Sequence, residues 1–294
     1  MICREDIQQA ALEVGFNLCG STHCKPLPEQ SFFFDKWLAE GFADRLPYLH
    51  RYTDRRADPR LLMEGAQTVV VCAVNYRNTL AGGYPHGWNG AKVASYALTT
   101  DYHTTIKAML RHMLTLLKER YPSLDGRMFV DTAPIFEKAH AVRAGLGSIG
   151  RNSLLITPQY GSTVLLGELL LNDTVDKYDT PLEWNPCKGC EACIRRCPVR
   201  AINHNRTIDP RRCISARTLE SEAGELTLNG WICGCDECQS TCPHNHNKPL
   251  ADNPNFTPTF DPLDPEVQQL LQTRTLTPAL CATPLARAFR DKKG

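Results

Sequence analysis

The chain has 294 residues, 42% of them hydrophobic, with a formal net charge of only +1. This length and apolar content allow one large domain plus a small one with a real core, and the near-neutral charge creates no global field that would indicate a nucleic-acid partner. The longest apolar stretch, residues 164–171, falls far short of the roughly 20 residues of a membrane-spanning helix. The first residues, MICREDIQQAALEVG, form no apolar signal segment, so we expect a cytoplasmic protein without a membrane partner.

Helical and strand patterns alternate over the first half of the chain. Apolar residues at helical spacing predict a helix over 6–14, and the β-branched run TVVVCAVN predicts a buried strand over 68–75. Residues 77–92 contain four glycines and form a loop long enough to contact a ligand. Asp101 opens the clearest helix, whose core stripe is Ile106, Met109, Leu110, Met113, Leu116 and Leu117.

The next elements surround an aspartate. A short strand over 127–130 is followed by Asp131, and the capping residue and early proline of DTAP predict that a helix starts there. A glycine-rich turn covers 145–152, and a strand follows over 162–171. Strands that alternate with helices predict an α/β (α+β) domain over residues 1–178. A ferredoxin-like module follows over 179–250, and a proline-rich tail over 251–294 is expected to be extended, with a short helix at 265–272.

Eight of the 14 cysteines fall into two blocks, and both blocks end in Cys-Pro. The first block reads C-x-x-C-x-x-C-x-x-x-C-P, a pattern in which three cysteines bind one [4Fe–4S] cluster and the fourth binds another. Crossing the last cysteine of each block predicts two complete ligand sets. These sets are Cys187, Cys190, Cys193 and Cys242 for one cluster, and Cys197, Cys213, Cys235 and Cys238 for the other.

Disulfides and zinc are the alternatives. A disulfide framework is typical of small secreted domains, and a zinc site built from two C-x-x-C pairs has no use for the extra cysteine before each proline. The cysteines outside the blocks are expected to be small apolar fillers, and Cys233 is excluded because Cys235 has the right spacing to Cys238. These fillers are Cys3, Cys19, Cys24, Cys72 and Cys281.

Residues 187–217 carry eight Lys and Arg residues against two acidic residues. Arginines near a dianionic cluster compensate its charge, and the same residues could instead form a surface for a polyanion. The two explanations are compatible. Arg195, Arg196, Arg211 and Arg212 are the group that we expect to contact RNA if the second holds.

Two known cofactor-binding sequence motifs are matched only in part by this chain. Residues 145–150 space their glycines as G-x-G-x-x-G, but they follow a predicted helix, whereas a dinucleotide site follows a strand. Asp101 and His103 match the start of the D-x-H-x-x-G cobalamin signature, but Ile106 occupies the glycine position. A histidine lower ligand to cobalt is therefore not expected.

Several segments, in the same order along the chain, resemble those of the epoxyqueuosine reductases. These are cobalamin-dependent iron–sulfur enzymes of tRNA queuosine biosynthesis. The matching segments are TVVVCAVNY (68–76), SYALTTDYH (95–103), VDTAPIFEKAHAVRAGLGSIGRNSLLI (130–156), PCKGCEACIRRCPVRAI (186–202), RCIS (212–215) and GCDECQSTCPHN (234–245). Ser148 and Arg151 stand where the family commonly has tryptophan and lysine. Many relatives continue into a helical-repeat extension, so we expect RNA to be bound by the two main domains here.

The resemblance implies a base-off cobalamin in a domain like that of the flavin nitroreductases, with Asp131 as the general acid. A strained ether oxygen leaves only when protonated, so one acid must lie beside the cofactor. This acid has to be protonated near neutral pH, so we expect burial to raise the pKa of Asp131. The predicted cobalamin contacts are Ser95, Tyr96, Tyr102, His103, Gly145, Leu146, Gly147, Ser148, Ile149, Arg151 and Asn152. The implied partners are a tRNA anticodon stem-loop and a low-potential donor such as flavodoxin or ferredoxin, with the protein a monomer.

Two other functions remain open at this point. The relatives include reductive dehalogenases, so a cobalamin-dependent reductase of a small molecule is one alternative. Dehalogenases usually carry an export signal and use a tyrosine as the acid. A non-catalytic electron-transfer protein is the other alternative.

Overall fold

Eight strands occur in the computed structural model, which describes residues 1–220 and 228–289. In chain order they are β1 (Leu18–His23), β2 (Thr68–Asn75), β3 (Lys92–Val93), β4 (Gly126–Phe129), β5 (Ser148–Ile149), β6 (Leu155–Ile156), β7 (Val164–Leu171) and β8 (Trp231–Cys233). The same ranges contain eleven α-helices. They are α1 (Arg4–Glu13), α2 (Pro28–Ala39), α3 (Thr53–Ala57), α4 (Tyr102–Arg120), α5 (Glu137–Arg143), α6 (Ala192–Arg196), α7 (Ile214–Glu220), α8 (Glu237–Ser240), α9 (Pro265–Gln272), α10 (Pro278–Cys281) and α11 (Leu285–Phe289).

The central sheet has four strands in the order β1-β2-β7-β4, and every neighbouring pair is antiparallel. All eight residues of β2 are buried, because α1 and α4 cover one face of the sheet and α5 covers the other. A continuous apolar run is common in parallel sheets, but what it requires is burial on both faces. The mixed α/β architecture is therefore correct, with an antiparallel sheet at its centre.

Helix α4 carries the most regular apolar stripe and packs directly on β7. Asp101 caps it by accepting the backbone N–H of His103 at 3.0 Å, as the sequence predicts. Leu114 takes the buried position that the sequence analysis assigned to Leu116, which is only partly buried. A side chain at Gly167 of β7 would lie 2.4 Å from Ile106, so glycine is what allows the helix to approach the strand.

Three predicted features differ from the structure. The helix expected to start at Asp131 begins at Glu137, so Asp131 is not its N-cap. Helix α2 was not predicted, and none of its residues is buried. Among the presumed filler cysteines, Cys281 is exposed, and Cys3 and Cys19 are only half-buried.

The C-terminal tail is more helical than expected. Helix α9 spans the predicted residues, but α10 and α11 follow it, and Leu271, Leu280 and Leu285 pack against Ala97 and Leu98. The last five residues of the predicted tail lie outside the described ranges. The tail thus joins the core beside the residues just before α4. In the cluster module, β8 pairs in parallel with β3 and Tyr76 contacts Gln239, so this module also packs on the sheet domain.

Candidate active site and cluster-binding module

Two residues from the start of α4 meet one carboxylate oxygen of Asp131. The Tyr102 hydroxyl donates to Oδ2 of Asp131 at 3.1 Å, and Nε2 of His103 lies 3.0 Å from the same oxygen. The side chain of Asp131 is still 52% exposed. The structure therefore brings three of the predicted site residues together at an open surface, where a substrate could reach the carboxyl group.

The backbone of Asp131 has an unusual conformation. Its φ angle is 52°, in the left-handed region that costs a non-glycine residue about 1–3 kcal/mol. Its N–H donates to Oε1 of Glu137 at 2.6 Å, which holds the loop in place. Strain of this kind is often found at functional sites, and here it follows directly from the position of Glu137 at the start of α5.

His103 is oriented by a second carboxylate. Its Nδ1 lies 2.7 Å from Oδ1 of Asp101, so Nδ1 carries a proton and donates to Asp101. The remaining ring nitrogen, Nε2, then shares one proton with Asp131. The pair therefore has two states, a neutral imidazole beside a protonated Asp131 or an imidazolium beside a carboxylate.

The charges at the site favour the ionised state of this pair. Burial would lower the pKa of His103, but hydrogen bonds to Asp101 and Asp131 outweigh it and raise that pKa above its ordinary value. Burial would raise the pKa of Asp131, but the hydrogen bond and charge of His103 hold it below its ordinary value. The expectation of a raised pKa for Asp131 was therefore wrong in direction, because the sequence does not reveal the neighbouring imidazole.

Arg287 of α11 is a site residue that the sequence analysis missed. One of its guanidinium nitrogens lies 3.0 Å from Nε2 of His103, and the other lies 3.8 Å from Oδ2 of Asp101. Arg287 is separated from His103 by 184 residues. No local pattern marks it, since only the packing of the tail brings it to α4.

Aromatic rings connect this site to the cluster module. Tyr76 and Tyr96 meet edge to face with centroids 6.5 Å apart, and Tyr96 meets Tyr102 in the same way at 6.1 Å. The hydroxyl of Tyr76 contacts Gln239, the residue after Cys238. The predicted contacts Tyr96 and Tyr102 thus lie between the second cysteine block and Asp131.

One small cavity is lined by four block cysteines, Cys187, Cys190, Cys193 and Cys242. Burial and the negative charges of Cys187 and Cys242 raise the pKa of Cys193 to about 11. Among the remaining four, burial and the charges of Cys235 and Cys213 raise the pKa of Cys238, and burial with the charge of Cys197 raises the pKa of Cys213. Several thiolates close together repel one another, so ionising them all costs free energy. Bound iron ions neutralise this charge, so both groups of cysteines fit metal clusters.

The glycine-rich turn lies against the first group of cysteines. The backbone N–H of Arg151 donates to Sγ of Cys187 at 3.3 Å. A side chain at Gly147 would lie 2.2 Å from the carbonyl oxygen of Ile156, so the β5–β6 hairpin requires glycine there. Ser148 donates to the carbonyl of Trp184 at 2.8 Å. The backbone of Trp184 therefore contacts the position where the family commonly has tryptophan.

Three predicted cobalamin contacts hold buried polar atoms without a hydrogen-bond partner in the described part of the chain. They are Oγ of Ser95, Nε of Arg151 and Nδ2 of Asn152. Buried polar atoms without partners are rare in proteins and call for an explanation such as a bound group. Arg151 and Asn152 also line the cysteine cavity, and a polar group bound beside the turn and Ser95 would give these atoms partners.

Comparison with known proteins agrees with this picture. A family profile described as "Epoxyqueuosine reductase QueG, DUF1730" matches residues 56–132, and one described as "4Fe-4S double cluster binding domain" matches residues 186–245. The epoxyqueuosine reductase of Cyclobacterium marinum is 37% identical over 265 residues, which cover 87% of this chain and 83% of the relative. This chain belongs to the epoxyqueuosine reductase family. The Aliivibrio fischeri member is 36% identical, with 85% of this chain and 69% of the relative covered.

Solved structures show the same fold. A crystal structure of selenomethionine-labelled epoxyqueuosine reductase has a TM-score of 0.77 and 26% identity, covering 90% of this chain and 70% of that chain. One with an epoxyqueuosine-modified tRNA-Tyr stem loop has a TM-score of 0.74 at 24% identity, covering 90% and 69%. A B12-dependent reductive dehalogenase shares the fold more distantly, with a TM-score of 0.51 at 14% identity, covering 95% and 35%. Within residues 1–220 and 228–289, no helix has the length and apolar character needed to span a bilayer.

Proposed function

We propose that this family member reduces epoxyqueuosine to queuosine at the wobble position of tRNA. The observation that carries the proposal is the 3.0 Å contact between His103 and the exposed carboxyl group of Asp131, beside the cysteine module. The conversion of an epoxide to an alkene consumes two electrons and two protons and releases water. A site for it needs a source of electrons beside a proton donor, and both can be found in this part of the chain.

The electrons would pass through two [4Fe–4S] clusters. One would be held by the four cysteines that share a cavity, and the other by Cys197, Cys213, Cys235 and Cys238. The match to a double-cluster domain over residues 186–245 supports this ligand assignment. An external low-potential donor such as flavodoxin or ferredoxin would supply the clusters, and the protein would act as a monomer in the cytoplasm.

Cobalamin would be held, base-off and without a histidine lower ligand, in the sheet domain, which we expect to resemble the flavin nitroreductases. The orphaned polar atoms of Ser95, Arg151 and Asn152 support this location. When bound, the cofactor supplies the low-potential reductant for the epoxide carbon. The backbone of residues 145–149 and the rings of Tyr96 and Tyr102 would form the walls around it.

The residues of the chain would control the proton. Burial and the charge of Asp131 raise the pKa of Tyr102, so its phenol stays protonated and keeps donating to the carboxylate. His103 and Asp131 hold one proton between them, and Asp131 is the exposed member that can reach the substrate. Proton transfer from this pair to the epoxide oxygen would make that oxygen a leaving group. The pair can act as an acid even though His103 holds the pKa of Asp131 below its ordinary value.

The test is anaerobic turnover by the reconstituted protein with cobalamin, a chemical reductant and a stem-loop that contains epoxyqueuosine. Mass spectrometry of the RNA should show the loss of one oxygen. No loss of oxygen from the RNA, together with reduction of a halogenated phenol, would favour the dehalogenase-like alternative. Protein that binds no cobalamin but still passes electrons would favour the carrier.

A further inference from the structure

A surface segment beside the active site, residues 44–56, combines exposed aromatic rings with exposed arginines. We name these residues the rim segment, which contains the short 3-10 helix Pro47–His50 and all of helix α3 except its last residue. Tyr52 keeps 55% of its surface exposed and Tyr48 keeps 45%. Neither ring belongs to a hydrophobic core cluster of the described residues.

The charge of the rim segment is positive and largely uncompensated. It holds four arginines against two aspartates. Arg45, Arg51 and Arg55 are exposed, and none of them has an acidic partner within ion-pair distance in the ranges that the structure describes. The guanidinium of Arg55 lies over one face of the Tyr52 ring, 4.6 Å from its centroid. The ring keeps over half of its surface accessible, with a cation on one face.

Two contacts place the rim segment beside the catalytic loop. Phe34 of α2 packs edge to face on Phe136, five residues after Asp131, with centroids 5.4 Å apart. The guanidinium of Arg56 lies 5.9 Å from the centroid of the same Phe34 ring. The charge of Asp131 also acts on Tyr48, whose pKa burial and nearby carboxylates raise to about 12. The rim therefore borders the opening through which a substrate would approach Asp131.

Two of the four arginines that we expected to contact RNA are already paired in the cluster module. Arg196 pairs with Glu237 at 2.8 Å, and Arg211 pairs with Asp209 at 2.9 Å. Arg211 also lies 4.9 Å from the ring centroid of Phe42, two residues before the rim segment. Arg195 and Arg212 are exposed and have no ion pair among the described residues, so the rim adds further unpaired arginines to those of the module.

We propose that the rim segment binds the single-stranded part of the anticodon loop, with a base stacked on Tyr52 and phosphates contacted by Arg51 and Arg55. This inference rests on the proposed function, since it assigns where that substrate is held. Exposed aromatic rings interleaved with arginines are how proteins bind unpaired nucleotides, because every base has a face that can stack and every linkage carries a charge. A substrate base that must reach Asp131 leaves its neighbours unstacked, and the adjacent rim can receive one of them.

The experiment is equilibrium binding of a fluorescent stem-loop containing epoxyqueuosine, measured at several salt concentrations. Tyr52→Leu should weaken affinity about tenfold, the lower range for loss of one stacked base, whereas Tyr52→Phe should bind like wild type. Arg51→Ala and Arg55→Ala should each weaken binding and reduce the slope of log K against log salt by about 0.7–1. Arg60→Ala is the matched control, because Arg60 is exposed in the same region but already paired with Asp58.

The outcomes separate this inference from the proposed function. If wild-type protein binds the stem-loop and the Tyr52→Leu and Arg55→Ala variants keep its affinity and salt slope, the rim assignment is wrong and the proposed function stands. If wild-type protein does not bind the stem-loop at all, both fail. Iron content and the spectrum of the dithionite-reduced clusters, measured in every variant, should be unchanged. Arg51 is exposed and lies outside any helix, so Arg51→Ala tests the rim assignment by affinity and salt slope even if a Tyr52 variant does not fold.

Discussion

Oδ2 of Asp131 and Nε2 of His103 lie 3.0 Å apart, which is hydrogen-bonding distance, so one proton between them can be bound to either atom. Asp101 fixes the other ring nitrogen as a donor, so the shared proton is the one that the site can release. The proposed proton donor is therefore a pair of residues from two elements, the loop after β4 and the start of α4. The role that we propose for Asp131 depends on its histidine.

The first prediction concerns this pair. Asp131→Asn should abolish turnover but leave iron and cobalamin content unchanged, because Asp131 acts on the substrate and ligates nothing. His103→Gln should lower the rate by about 10²–10⁴-fold, the usual contribution of a general acid. Single-turnover kinetics at saturating stem-loop would measure both. Full activity of the Asp131→Asn variant would assign the acid elsewhere, with Tyr102 as the next candidate.

The pH dependence follows from the same pair. The raised pKa of His103 means that the protonated pair persists below and somewhat above the ordinary histidine pKa of 6.5. Activity should therefore be retained on the acidic side and fall as the pH rises through this raised pKa. A rate profile of wild type should show this alkaline limb, and residual activity of the His103→Gln variant should lack it. A limb that is the same in both proteins would contradict the assignment.

Arg287 should control the position of that limb. The groups facing His103 are Asp101 and Asp131, which raise its pKa, Arg287, which lowers it, and the uncharged phenol of Tyr102. Arg287→Ala removes a positive charge 3.0 Å from Nε2, so the pKa of His103 should rise and the limb should move to higher pH. Arg287→Lys should move it less. Histidine NMR titration of both variants provides a readout independent of turnover, and an unchanged His103 pKa in the Arg287→Ala variant would refute the coupling.

The assignment of the cluster ligands predicts how much iron the protein binds and which cluster a substitution at Cys242 disturbs. Eight cysteines in two crossed sets should bind about eight irons per chain. Cys242→Ala should disturb the cluster of Cys187, Cys190 and Cys193, because these residues share one cavity despite their separation in sequence. Iron analysis and electron paramagnetic resonance of the reduced variant would test this. Selective loss of the other cluster would mean that the two sets are not crossed.

The parts of the fold that the sequence predicted are those set by local pattern. The bounds of β2 and α9 agree with the prediction, because a valine-rich β-branched run and a proline after a capping aspartate are local signals. Helix α2 was missed because its aromatic residues form no buried stripe. Arg287 and the direction of the Asp131 pKa shift were missed because both depend on neighbours distant in sequence.

The last prediction concerns Glu137, which accepts the backbone N–H of Asp131 at 2.6 Å. Glu137→Gln keeps an oxygen at this position, whereas Glu137→Ala removes it and leaves the left-handed conformation of Asp131 without support. The Glu137→Ala variant should therefore lose kcat/KM by at least tenfold with unchanged cofactor content, and the Glu137→Gln variant should lose much less.

The same pair of variants gives a pH test of stability. Burial, together with the charge of Asp131, raises the pKa of Glu137 to about 7 from an ordinary 4.5. A carboxyl group with a raised pKa binds more protons in the folded state than in the unfolded state, so its contribution to stability is lost as the pH rises between 4.5 and 7. Glutamine cannot ionise, so the Tm of wild type relative to the Glu137→Gln variant should fall as the pH is raised from about 5.5 to 7. Parallel Tm curves would mean that Glu137 is ionised throughout this range and that it holds Asp131 only as a charged acceptor.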